Sequence, residues 1–221
     1  MQFKFVDGDL TALERFKLRL LNKDEPIFTG PVFSAPQAGL PAEFSQLHGK
    51  AYSVWAAGGG GHQVQGRSAT EEFYQAALDV ATPEQPALLV AGGNFSGELA
   101  STDCVTVVKS MQNQQLMTLL NQATLIVSGG GDMMGQAIVL GKNIVAVPVA
   151  GDQPDRVLAC AAEGLIYPAT LAKADIVAQC HKALKKPLQP AQQFEPGLQL
   201  VLKDIFRLLG RSEPISEGHI A

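Results

Sequence analysis

Three short apolar segments of this chain each run into glycines, and helical patterns separate them. Residues 52–56, 87–91 and 125–127 lead into glycine runs at 58–61, 92–93 and 129–131. A short apolar run bounded by glycine reads as a strand buried on both faces. Residues 105–108 and 144–147 continue the series. Helical patterns fall over 70–80, 114–121, 133–140 and 154–163. Glu71 and Glu72 open the first of these helices, and Gly141 and Gly164 close the last two, where a left-handed cap favours glycine. Short strands alternating with helices predict parallel βαβ units. The expected fold class is therefore α/β, a doubly wound parallel sheet with helices on both faces.

The flanks read differently. Residues 3–6 suggest a strand, Asp7, Gly8 and Asp9 a turn, and Thr11 with Glu14 the capping-box start of a helix. That helix carries an apolar stripe of Leu13, Phe16, Leu20 and Leu21. Residues 26–50 are rich in proline and glycine, a lead-in with one strand at 27–29. Two helices follow the main pattern, over 174–184 and 198–209, the second strongly amphipathic. The resulting division is a lead-in and linker over 1–50, a domain over 51–210 and a flexible tail over 211–221.

Composition narrows the function. The 221 residues are 46% hydrophobic and 17% charged, with a formal net charge of −4. Apart from Lys182, Lys185 and Lys186 no basic patch appears, so no nucleic-acid partner is expected. The longest apolar runs, 87–91 and 144–150, fall far short of the roughly 18 residues that suggest a membrane span. No charged-then-apolar leader opens the chain. The three cysteines, Cys104, Cys160 and Cys180, have neither metal-ligand spacing nor a disulfide pattern, which favours a reducing, cytoplasmic setting.

The glycine runs carry the chemical expectation. In an open parallel sheet, ligands sit outside the carboxyl ends of the strands. Glycines there let backbone N–H groups approach an anion, and the following helix adds its unpaired N–H groups and positive dipole end. Two such loops meeting in one crevice suit a diphosphate. His62 follows the first run and is placed to donate to a phosphate oxygen. No GxxxxGK[ST] is present, and no GxGxxG with an acidic residue about 20 positions on. The Asp7-Gly8-Asp9 triplet reads as a turn and helix lead-in rather than as a metal site. His48, His181 and His219 read as surface residues.

Residues 125–165, LIVSGGGDMMGQAIVLGKNIVAVPVAGDQPDRVLACAAEGL, resemble the donor-binding motif of two-domain GT-B glycosyltransferases. The resemblance is strongest to the group containing the lipid II GlcNAc transferase, the UDP-glycosyltransferases and the bacterial macrolide and glycopeptide transferases. The matching positions are Gly129, Gly130, Gln136, Ala137, Gly141, Pro148, Asp152 and Gln153. The resemblance implies the Rossmann-like, nucleotide-sugar-binding half of a GT-B fold. It assigns Gly59, Gly60, Gly61 and His62 to the first glycine loop. Met111 and Gln112 would meet the base. Ser128, Gly129, Gly130, Gly131 and Met133 would surround the diphosphate, Gln136 would reach the ribose, and Asp152 and Gln153 would hold sugar hydroxyls. Three positions depart from the pattern: Gln136 replaces a common glutamate, Ser128 a basic or imidazole group, and Arg156 an asparagine. Arg156 reads as a surface arginine ahead of a phosphate cation.

By the same resemblance the chain would take a UDP-type sugar as substrate, need no metal or other cofactor, and transfer the sugar with inversion. Catalytic residues are not assigned. The acceptor site and general base would lie on an N-terminal domain or separate subunit, so the chain is expected to be incomplete alone. It would be a fragment, a half-enzyme paired with an acceptor subunit, as in the two-subunit dolichol-linked GlcNAc transferase, or a binder without catalysis. Peripheral membrane contact would come through that partner. A nucleotide-sugar hydrolase or epimerase, and a non-catalytic nucleotide-sugar or interaction module, remain the alternatives.

Overall fold

A computed structural model describes residues 12–23 and 36–188, together with 201–202, 205–207 and 209–210. The chain divides into two compact units, Ser34–Phe194 and a second made of Met1–Phe33 and Glu195–Ala221. In the second unit the described residues form helix α1 (Ala12–Leu20) and helical backbone at 201–202 and 205–207. The stripe of Leu13, Phe16 and Leu20, with Leu21 after it, is exposed. The expected strands at 3–6 and 27–29, the Asp7-Gly8-Asp9 turn, Thr11, His219 and the tail lie outside the described residues, as does much of 198–209.

The larger unit opens with a 3₁₀ segment, Ala42–Leu47, that buries Phe44 and Leu47. Of residues 36–50, expected as an irregular lead-in, Phe44 and Leu47 are thus buried, while the rest stay exposed or partly so. Then follow β1 (Ser53–Ala56), a short hairpin of β2 (Gln63–Val64) and β3 (Arg67–Ser68), α2 (Ala69–Val80), β4 (Ala87–Val90), β5 (Val105–Val108) and α3 (Asn113–Gln122). The chain continues through β6 (Leu125–Gly129), α4 (Asp132–Val139), β7 (Ile144–Val147), α5 (Gln153–Ala162), β8 (Tyr167–Pro168) and α6 (Lys173–Lys185).

Six strands form one sheet in the order β5-β4-β1-β6-β7-β8, every pair parallel. This is the doubly wound α/β arrangement read from the strand–helix alternation. Side chains alternate across it. Trp55, Leu89, Val127 and Val145 pack with Phe73, Ala77, Ile176 and Cys180 of α2 and α6. Val54, Leu88, Ile126 and Ala146 point the other way and are buried too. The buried sides of α3, α4 and α5, including Met117, Leu120, Met134, Ala137 and Val157, supply that layer. Burial on both faces explains why the strands are apolar throughout.

Glycine closes two helices as expected. Gly141 has φ +65°; its N–H meets the Ile138 carbonyl at 2.9 Å, and the Lys142 N–H meets the Ala137 carbonyl at 3.0 Å. Gly164, with φ +69°, repeats the pattern after α5 through the carbonyls of Ala161 and Cys160. Both are Schellman endings, which tie up otherwise unpaired helix carbonyls.

Two elements escaped the sequence reading. Strand β8 is two residues long, too short for periodicity, and its Pro168 stands at the sheet edge, where a missing N–H is tolerated. The β2–β3 hairpin turns through Gln65 (φ +52°) and Gly66 (φ +77°). Positive φ at both central residues matches a type I′ turn, but glutamine lacks the short side chain that normally marks the first position.

Candidate functional site

The winding of the chain reverses between β1 and β6. From β1 the chain winds outward through α2 to β4; from β6 it winds the opposite way through α4 to β7. The crevice of a doubly wound sheet opens outside the carboxyl ends at that switch point. Here those ends are Ala57 with the glycines after it, and Gly129, Gly130 and Gly131. The two ends nearly touch: a Cβ built on Gly129 would lie 3.2 Å from the Ala57 carbonyl oxygen and 3.0 Å from Val149 Cγ2.

The first and second glycine runs interlock. A Cβ on Gly60 would sit 2.5 Å from the Ala91 carbonyl oxygen, and one on Gly92 would sit 2.4 Å from the Gly60 nitrogen. Both residues have positive φ, +89° and +93°. The Asn94 N–H donates to the Gly59 carbonyl at 2.9 Å. Gly60 is buried in this crossing, while Gly59 and Gly61 face solvent. Gly60 and Gly92 are therefore explained by backbone-to-backbone packing. The half-exposed His62 ring lies against Gly58, and the His62 carbonyl accepts from Ala69 N–H at 3.0 Å.

The third run leads into α4. Gly131 is its N-cap and offers no capping side chain. The N–H groups of Gly131, Asp132 and Met133 meet no acceptor among the described residues. Such first-turn donors, with the helix dipole behind them, attract an anion. Asp132 was not anticipated: it places an exposed carboxylate in that first turn, where it opposes an incoming phosphate. Gln136 lies one turn further on the same side and is half-buried; Met133 is also half-buried.

Three expected ligand groups lie inside the protein. Gln153 is 8% exposed, and its Oε1 accepts from Gly130 N–H at 2.9 Å and from Val149 N–H at 2.8 Å. As folded, the Gly130 N–H and the Gln153 oxygen are spent on this bond and its Val149 counterpart, which leaves the Gln153 amide nitrogen outside them. A Cβ on Gly130 would lie 2.6 Å from Val157 Cγ2, so this glycine lets α5 pack close. Ser128 is the third. It is fully buried between Ala56 and Ala146 of the neighbouring strands, and its hydroxyl has no partner among the described residues. In this structure its side chain presents no surface to a solute.

Arg156 and Gln153 together staple the loop after β6 to the loop after β7. Arg156 donates to the Gly130 carbonyl at 3.1 Å and pairs with Asp152 Oδ2 at 3.0 Å. Arg156 is half-buried, not a free surface residue, while the Asp152 side chain remains 69% exposed and accessible to solute. Burial pushes the nearby Cys160 thiol up to about 11, with Arg156 pulling weakly against that shift.

Met111 and Gln112 follow β5, at the same end of the sheet but two strands from β1, roughly 10 Å at ordinary strand spacing. Gln112 is exposed and caps α3, its N–H meeting Gln115 Oε1 at 3.2 Å. Asp152, Gly131 and the α4 start thus gather at the switch point, while Met111 and Gln112 stand apart along the sheet edge. Among the described residues no three His, Cys, Asp or Glu side chains cluster, and no helix is long and apolar enough to cross a membrane.

No family model and no curated protein matches the chain. Solved structures do. The calicheamicin glycosyltransferase CalG4 superposes with a TM-score of 0.61 at 16% identity, over 85% of this chain and 48% of that one. The glycotransferase of kitacinnamycin gives 0.51 at 19% identity, over 71% and 41%. UDP-GlcNAc 2-epimerase from Neisseria meningitidis, bound to UDP-GlcNAc, gives 0.55 at 12% identity, over 75% and 49%. The chain spans about half the length of these neighbours. What is shared is architecture: the chain has the Rossmann-like α/β fold of one half of GT-B-type glycosyltransferases and UDP-GlcNAc 2-epimerases.

Proposed function

We propose that this chain is the donor-binding part of a glycosyltransferase and holds a UDP-type sugar nucleotide at the β1/β6 switch point. The observation that carries this reading is the glycine-lined start of α4, whose free N–H groups open beside the close meeting of the two strand ends. In this proposal the diphosphate lies against Gly131 and the first turn of α4, with Gly129 shaped by the close strand ends. Gln136 reaches the ribose, Asp152 takes sugar hydroxyls, and the base extends toward Met111 and Gln112. A carboxylate accepts well from a vicinal diol. The N–H groups at the helix start stabilise the charge that grows on the departing diphosphate, and no divalent ion is called for.

The reaction proposed is direct attack of an acceptor hydroxyl on the anomeric carbon, with inversion. Acceptor and general base would come from a second domain or subunit. An epimerase reading has the same fold behind it. The transferase reading is favoured by the motif match over 125–165.

Thermal shift and calorimetry with UDP, UDP-GlcNAc and NAD test the proposal. Ligand at a hundredfold excess over Kd stabilises by about 2.7 kcal/mol, or about 5–11 °C in Tm for a chain of this size. A response to UDP compounds that survives EDTA is expected. A response to NAD with none to UDP overturns the proposal.

A further inference from the structure

A cavity of about 560 Å³ lies beyond the switch point, between the β2–β3 hairpin and the loops that follow β7 and β8. On one side stand Gln63, Gln65 and Arg67 of the hairpin; the loop after β7, including Val149 and Gly151, supplies another wall. Resting on the proposed function, we propose that this cavity receives the hexose of the donor and that the hairpin reads its hydroxyls.

Three observations support this. Gly151 and Pro154, on either side of the Asp152–Gln153 pair in the chain, line the cavity, so it opens next to the loop whose exposed Asp152 carboxylate the proposed function gives to sugar hydroxyls. The lining also has the mixed character of a pyranose. Amides at Gln63 and Gln65 offer donors and acceptors and the Thr170 hydroxyl, its hydrogen given to Asp175, an acceptor, while Pro148, Val149 and Leu171 offer apolar surface to the ring's C–H face. Finally, the walls are braced. The hairpin is closed at its neck by the His62 carbonyl and Ala69 N–H, and Ser68 caps α2 by accepting from Glu71 N–H. Opposite, Asp175 Oδ2 accepts from both the Thr170 N–H and hydroxyl at 2.7 Å. A site held this way is preorganised, so less ordering is needed when a sugar enters.

Two variants test the inference by calorimetry with UDP and with UDP-GlcNAc. Gln63→Ala/Gln65→Ala removes both amides. Gly151→Trp fills the cavity, and it is compatible with the fold because a Cβ on Gly151 meets nothing within 4 Å. Circular dichroism and Tm confirm folding. UDP affinity is expected to stay within about twofold in both variants. UDP-GlcNAc affinity is expected to fall about five- to tenfold in the amide variant, on the usual worth of one or two hydrogen bonds. In Gly151→Trp it is expected to drop to that of UDP or below. If wild type binds UDP and both folded variants bind UDP-GlcNAc as wild type does, the hairpin inference is overturned while the donor-binding reading stands. If wild type binds no UDP compound, both fall.

Discussion

Gln153→Ala removes one side-chain oxygen and leaves two backbone donors stranded. Gly130 N–H and Val149 N–H both point at Oε1, at 2.9 and 2.8 Å, inside a residue that is 8% exposed. A buried donor without a partner costs about 1–3 kcal/mol. Two of them make the expected loss about 2–6 kcal/mol, a drop in Tm of roughly 5–20 °C for a chain of this size. Gln153→Glu keeps an acceptor at the same place but buries a charge, so it should fall between alanine and wild type. Urea denaturation followed by circular dichroism gives the three stabilities at one pH. A Gln153→Ala variant within about 0.5 kcal/mol of wild type, the range of an ordinary surface change, refutes the staple.

Asp132→Asn should tighten UDP binding about two- to fivefold, because an opposing charge leaves the first turn of α4; calorimetry at low salt checks it, and weaker binding contradicts the placement of the diphosphate. Gly92→Ala should cost about 2–5 kcal/mol, combining left-handed strain with overpacking against Gly59 and Gly60. Chemical denaturation measures this, and near-wild-type stability would mean the two glycine runs are not interlocked. Hydrogen bonds from Thr170, the backbone N–H foremost, hold the Asp175 carboxyl below its usual 3.8. A depressed folded value means the contribution is present above the unfolded pKa and lost as pH falls through the folded one. The stability gap between wild type and Asp175→Ala should therefore be full at pH 6 and close at successive steps below pH 3.8. Burial raises the Cys160 and Cys180 thiols to about 11 and about 12, so half-exposed Cys104 should alkylate first in the native protein; peptide mapping after brief iodoacetamide treatment reads the order.

The strand–helix alternation was legible in the sequence because it rests on local chemistry. Apolar stretches such as 87–91 have little alternative to burial on both faces, and Gly141 and Gly164 mark helix ends through a backbone conformation other residues resist. Which glycines face a ligand was not legible. Gly60, Gly92, Gly130 and Gly131 look equivalent in a string of letters. Only the packed chain separates the first three, required where backbone or helix α5 approaches closely, from Gly131, which opens α4 toward solvent. Gln153 and Arg156 likewise show their roles only when the loops after β6 and β7 lie side by side, since Gly130, the partner they share, stands 23 and 26 residues from them in the chain. Sequence determined the order of elements through short-range preferences; tertiary structure decided the use of each polar atom, because a hydrogen bond is claimed by whichever group the fold brings within reach.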